Sequence, residues 1–120
     1  IVAQRLARRV CSGCVATMDV NPEILVNIGI AAAEARHIQV KYGKGCDKCS
    51  GTGYKGRTAL YEVMPLSDAL REFILNGASA AEIKRQAIKD GMLTLRASAL
   101  QRLKEGVTTV EEVLRVTIPD

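Results

Sequence analysis

The sequence predicts an α+β protein in two parts. A small lobe with short helices and a small β-hairpin or sheet gathers around four cysteines, and an all-α lobe of short capped helices follows. Three observations predict it. The cysteines fall as two Cys-x-x-Cys pairs, Cys11 with Cys14 and Cys46 with Cys49. Polar and apolar residues alternate over 37–42, and a β-favouring run fills 57–64. From Ser67 onward, capping residues and glycines recur at the spacing of short helices. The expected divisions are a helix over residues 1–10, a cysteine lobe over 11–64 and a helical lobe over 65–120.

Residues 1–10 place Val2, Leu6 and Val10 at four-residue steps, with Gln4, Arg5, Arg8 and Arg9 covering the rest, which is the pattern of a helix stripe. So short a helix is marginal alone, and the chain opens at Ile1 rather than Met. The expectation is the tail of a longer helix, in a piece of a longer protein. Residues 15–21 read as a connection. Asn21-Pro22-Glu23 signals a helix start, with Asn as cap, Pro at the first helical position and an acid in the first turn. Ile24, Leu25 and Ile28, with Ala31 and Ala32, would form its buried stripe, and Gly29 would weaken it. Residues 37–42 would be a short strand delivering the chain to Cys46. Residues 57–64 would be a strand leaving the second pair, closed by Pro65.

Ser67 then precedes a helix with Leu70, Phe73 and Ile74 on one face and Gly77 as its stop. Ser79 to Glu82 is a capping box opening a helix with Ile83, Ala87 and Ile88 inward, ended by Gly91. Thr94 caps a third helix, carrying Leu95, Ala99, Leu100 and Leu103, and Gly106 ends it. Thr108 to Glu111 reads as a second capping box, with Val110, Val113 and Leu114 continuing the stripe. The stripes are expected to converge on one core, leaving the charges as a solvated face.

Charged residues at 25% and apolar ones at 48% mark a globular chain rather than a disordered one. With no Trp and one Phe, the core must be aliphatic. No apolar run approaches a membrane span, and no signal peptide opens the chain. Four cysteines in that setting favour a reducing compartment, and metal over disulfides.

Each Cys-x-x-Cys pair can set two sulfurs on one side of a tight turn, and two pairs make a cage of four. Zn2+ fits such a cage best, being borderline-soft and four-coordinate in structural sites. A closed four-cysteine site leaves no position for water, so it builds structure and does no chemistry. The expected zinc ligands are Cys11, Cys14, Cys46 and Cys49. Two disulfides, a redox dithiol, or iron in the same cage are the competing readings. His37, the single histidine, reads as a surface residue, since four thiols already complete the set. The net charge of +4 invites a nucleic-acid partner. However, four thiolates around Zn2+ carry a formal −2. Lys41, Lys44, Lys48, Lys55, Arg57, Arg8 and Arg9 beside the cysteines would offset it. Stacking aromatics are nearly absent.

Other motifs weigh less. Gly51 to Gly56-Arg57-Thr58 nearly matches a phosphate-binding loop, but Arg stands where Lys belongs, and a β-favouring run rather than a helix follows. Cys46-x-x-Cys49-x-Gly51-x-Gly53 matches the zinc repeat of DnaJ-type chaperones, which carry four such repeats; Cys11-x-x-Cys14 lacks the Gly-x-Gly. A thioredoxin-like dithiol needs a cysteine at a helix N-terminus in a βαβ setting. No Ser/His/Asp set and no paired carboxylates can be assembled.

Four segments together are specific: Ala3 to Cys14 (AQRLARRVCSGC), Gly45 to Thr58 (GCDKCSGTGYKGRT), and the closing stretches Tyr61 to Met64 and Gly106 to Thr117. They resemble the type II/type IV secretion ATPase family, and within it the type IV pilus assembly (extension) ATPases; the stretch from Tyr61 to Leu75 gives that preference. The resemblance implies a hexameric cytoplasmic motor, peripheral at the bacterial inner membrane. Its ATPase core, with ATP and Mg2+, would lie N-terminal to residue 1 and would feed the helix at 1–10. The motor would turn or tilt an inner-membrane platform protein to add pilin subunits. The family's phosphate-binding loop, Walker B motif and acidic and histidine boxes have no counterparts in these residues. A non-catalytic C-terminal module is therefore implied, with Cys11, Cys14, Cys46 and Cys49 carried over as zinc ligands. Its implied partners are its own core, neighbouring subunits of a homohexamer and the platform protein, with no nucleic acid and no direct membrane insertion. The equivalent region of a type II secretion ATPase is the alternative, and a DnaJ-type zinc peptide-binding module the alternative from another class.

Overall fold

The computed structural model describes residues 2–119. In chain order its elements are β1 (Val2–Val10), β2 (Val15–Met18), α1 (Pro22–Ile28), α2 (Ala32–Ala35), β3 (Val40–Gly43), a 3-10 turn (Asp47–Cys49), β4 (Tyr54–Val63), α3 (Asp68–Leu75), α4 (Ala80–Lys89), α5 (Leu95–Lys104) and α6 (Val110–Val116). The α+β class is as expected, with two small antiparallel sheets among short helices.

The helix expected over 1–10 is instead strand β1. It pairs antiparallel with β4 from Val2 opposite Val63 to Val10 opposite Tyr54, with an irregularity between Arg8 and Val10. The physical reason is an ambiguity of period. Apolar residues every four positions lie on one face of a helix and equally on one face of a strand. A partner strand more than forty residues away settled the choice, and local pattern cannot see it. The inward face is carried by Ala7, Leu60 and Thr58, whereas Leu6 and Tyr61 face out.

Residues 15–18, expected to be connection, form β2, paired with β3 from Val15 opposite Gly43 to Met18 opposite Val40. The expected strand at 37–42 therefore sits further along, at 40–43. Helix α1 starts as its cap predicts: Asn21 Oδ1 accepts from the Glu23 N–H at 3.0 Å. Gly29 does not weaken the helix from within but ends it, at φ 120°. Leu25 and Ile28 are buried, while Ile24, Ala31 and Ala32 are exposed; Ile30 and Ala35 take the inward places.

The later helices are capped by Ser67, Ser79 and Thr94, each accepting the backbone N–H three residues on. For α6 the cap is Thr109, bonded to the Glu112 N–H, one residue beyond the expected Thr108. The two adjacent threonines and two adjacent glutamates make both registers look alike. Thr108 Oγ1 is engaged elsewhere, donating to the Arg8 carbonyl at 2.9 Å.

The helix stripes meet in two clusters, not one. Leu100, Leu103, Ala99 and Val113 of α5 and α6 join Ala7, Leu60, Leu25, Ile28 and Val40 in the main core. Helices α3 and α4 form a separate cluster of Leu70, Ala87 and Met92, with Met64 and Ile83 against it. Phe73, Ile74 and Ile88, expected inward, keep over a third of their surface in water. A compact chain of this length has a radius of gyration of about 14 Å. Here it is 16.8 Å with extents of 55 × 29 × 17 Å, so the second cluster extends the molecule rather than thickening it.

Two polar side chains splice the elements. Arg96 is buried and donates to the Thr117 hydroxyl, the Thr117 carbonyl and the Ile28 carbonyl, so one guanidinium closes the C-terminal ends of both α1 and α6. Glu62 of β4 accepts the Leu95 N–H at the start of α5. Among the described residues no helix is long and apolar enough to cross a membrane.

Candidate metal centre

Strand β1 ends by delivering Cys11, whose N–H bonds the Gly53 carbonyl at 2.9 Å. A turn closed by Cys14 N–H to the Cys11 carbonyl, at 3.3 Å, brings the second sulfur round. On the other side Cys46 is extended and caps the 3-10 turn that holds Cys49. Ser50 follows in the left-handed region, and the Gly51 N–H returns to the Cys46 carbonyl at 2.9 Å. The two halves meet where Gly43 crosses Gly53. A Cβ on Gly43 would stand 2.0 Å from the Gly53 carbonyl oxygen, and one on Gly53, at φ +81°, 2.4 Å from that of Gly43. Only glycine permits this backbone-on-backbone contact, and it aligns the two cysteine turns.

The four sequence-predicted cysteines are thus brought together. The Sγ atoms of Cys11, Cys14, Cys46 and Cys49 all lie within 4.8 Å of one another, a set that could hold a metal ion. Three of the separations, Cys11 to Cys46, Cys14 to Cys49 and Cys46 to Cys49, are 3.8 Å. Four sulfurs at the ~2.3 Å zinc–thiolate bond length form a tetrahedron with edges of about 3.8 Å. A disulfide would need about 2 Å, and all four cysteines are free thiols. The donor set and its spacing therefore fit a four-coordinate thiophilic cation.

Backbone amides point at the sulfurs. Cys49 Sγ accepts from the Cys46 and Gly53 N–H groups, each at 3.2 Å, and Cys14 Sγ from Gly45 at 3.3 Å. Burial pushes the Cys14 thiol up to about 11, with the Gly45 N–H offsetting only part. Burial opposes ionisation of Cys49 too, but the Cys46 and Gly53 amides outweigh it and bring that thiol down to about 6. The amides thus favour the ionised form at Cys49 over Cys14. His37 is exposed in the α2–β3 connection, outside the cluster. The stretch from Gly51 to Thr58 runs into strand β4.

A second cluster, not anticipated from sequence, holds the end of β1 to α6. Glu112 of α6 is fully buried and accepts from the Arg8 backbone N–H and Nε, each at 2.8 Å, and from the Arg115 side chain. The Arg8 guanidinium lies 4.2 Å from the Tyr54 ring centre, and the Tyr54 hydroxyl meets Thr109 Oγ1 at 2.8 Å. Burial alone would raise the Glu112 carboxyl, but the two guanidinium groups prevail and hold it at about 2. No local pattern flags this glutamate; its partner Arg8 lies more than a hundred residues away in sequence.

A model of the family described as type II/IV secretion system protein matches residues 1–115. Over 121 aligned residues the chain is 45% identical to the type IV pilus assembly ATPase PilB of Myxococcus xanthus, covering 100% of this chain and 21% of that protein. It is 44% identical to the type IV pilus assembly ATPase PilB of Thermus thermophilus, covering 98% of this chain and 13% of the relative. It is 37% identical to the type II secretion system protein E of Dickeya dadantii, covering 98% and 22%. The chain spans about a fifth or less of the length of these relatives.

Proposed function

This chain belongs to the type II/IV secretion system protein family, and we propose that it is the zinc-binding, non-catalytic C-terminal module of a hexameric ATPase that powers pilin polymerisation in type IV pilus biogenesis. The observation that carries the metal reading is the four-sulfur cage, with three edges at the length zinc requires. Cys11, Cys14, Cys46 and Cys49 would hold Zn2+, and the ion would supply cross-linking alone, because four thiolates leave no open coordination position. Its metal-binding subdomain, residues 11–64, shares its core with α5 and α6 of the following helical part. The basic side chains near the sulfurs, such as Lys44 and Lys48, would offset the excess negative charge of the site.

The relatives named as pilus assembly ATPases, at 45% and 44% identity, support the pilus assignment. The 37% identity to a type II secretion protein E keeps the equivalent region of a secretion ATPase as the second reading. ATP and Mg2+ would bind in the parent chain's core, outside this module. The motor would work in the cytoplasm, peripheral at the inner membrane, against its own neighbouring subunits and a membrane platform protein.

Metal analysis of the purified protein tests the first part. One zinc per chain is expected, with four thiols that a bulky alkylating reagent labels only after the ion is removed. A metal-free, fully folded protein with all four thiols reduced would end the reading. In the full motor, Cys46→Ser separates force transmission from simple stabilisation. Loss of pili with hexamers and ATP hydrolysis intact supports transmission, whereas general unfolding supports a purely structural ion.

A further inference from the structure

We propose that the Cys11–Cys46 edge of the thiol cage is an oxidant-accessible modification site, opened by Gly13 and faced by Lys48. The proposal rests on the metal-bound reading above and adds a regulated release to it. Gly13 has no side chain where one would cover the sulfurs. A Cβ there would stand 3.5 Å from Cys46 Sγ and 3.6 Å from Cys11 Sγ. It would also meet Lys48 Cδ at 3.0 Å, so the aliphatic stem of an exposed lysine lies across the opening. Cys46, like Cys14 outside this edge, is half-buried, whereas Cys11 and Cys49 are buried, so Cys46 is the more accessible residue of this edge. Cys11 Sγ stands 3.8 Å from it, as does Cys49 Sγ, but Cys49 Sγ is held by the Cys46 and Gly53 amides, so Cys11 is the sulfur that a small turn brings to bonding distance.

The chemical class that fits is a small two-electron oxidant, and the lysine draws in an anionic one such as hypochlorite, which takes a proton from water to react as hypochlorous acid. The Cys46 thiolate attacks chlorine of hypochlorous acid: an S–Cl bond forms, the O–Cl bond breaks and hydroxide leaves. The Cys11 thiolate then attacks Cys46 Sγ: an S–S bond forms, the S–Cl bond breaks and chloride leaves. Two electrons pass from the two sulfurs to one hypochlorous acid. The disulfide sulfurs no longer serve as anionic ligands, so a metal held by all four is released. Reduction by an external dithiol reverses the step.

The test adds one equivalent of hypochlorous acid to the metal-loaded protein. Released metal is followed with a chromogenic chelator, and disulfides are mapped by peptide mass spectrometry. The expected result is stoichiometric release with Cys11 linked to Cys46, reversed by dithiothreitol and zinc. Gly13→Ala should keep the metal content and slow release severalfold. Lys48→Glu, which leaves the opening unfilled, should slow release by hypochlorite more than release by hydrogen peroxide. A dominant Cys14–Cys49 or Cys46–Cys49 bridge, or release rates unmoved by both substitutions, overturns the proposal. Metal content before oxidant tests the zinc reading separately. If the protein proves metal-free, the first disulfide formed still decides whether this edge is the accessible one.

Discussion

Glu112 has no exposed side-chain surface, yet it accepts from two arginines and a backbone amide. Its folded value of about 2 lies below the ordinary 4.5, so the carboxylate stabilises the fold wherever the unfolded chain would also be ionised. That contribution, on the order of 3 kcal/mol, is complete above about pH 4.5 and drains away as pH falls toward 2. Glu112→Gln removes the charge, leaving Arg8 and Arg115 beside a neutral amide. Urea unfolding from pH 2 to 6 should show wild type ahead by about 3 kcal/mol at pH 6 and the gap closing near pH 2. A gap independent of pH would mean that packing, not charge, holds this side chain. The four cysteines were legible because ligand spacing is local and chemical. Glu112 was not, because its partners on β1 come together only in three dimensions.

The same contrast runs through the elements. Caps at Asn21, Ser67, Ser79 and Thr94 were readable, since each satisfies an orphan N–H within three residues. Strand β1 was misread and β2 missed, since both exist through distant partners. The crossing of Gly43 over Gly53 appears only once both sheets are paired. Gly53→Ala should cost about 3 kcal/mol or more, combining a backbone clash with an unfavourable φ. Because the Gly53 amide also bonds Cys49 Sγ, the variant should lose metal to a chelator faster than wild type. A variant that is destabilised but holds metal equally well would place the glycine's role in the fold alone. Arg96 joins the ends of α1 and α6 through three bonds to Thr117 and Ile28. Arg96→Met should cost about 2–4 kcal/mol by leaving buried carbonyls unpaired. Arg96→Lys should recover only part, because an ammonium cannot span the fork. Thermal unfolding of the pair measures it.

At the scale of the whole molecule the two apolar clusters predict two different responses to metal removal. The main core binds the cysteine turns to α5 and α6: Ala7 and Leu60 lie beside Leu103 and Val113, while Val10 N–H bonds the Val107 carbonyl at 2.8 Å. Stripping a structural zinc removes an apparent binding free energy on the order of 10 kcal/mol or more, exceeding what a small aliphatic core ordinarily holds in reserve. The loss should therefore pass from residues 11–18 and 43–54 into β1, β4 and α6. Helices α3 and α4 rest instead on Leu70, Ala87 and Met92, a cluster too small to hold two short helices firmly. Native-state hydrogen exchange should find their amides the less protected of the helices even with metal bound, and should find that protection little changed by chelation. The amides of α6 should move the other way, well protected with metal and exchanging freely without it. Equal sensitivity of α3, α4 and α6 to the chelator would show one cooperative unit. In that case the separation of the two clusters would have no energetic counterpart.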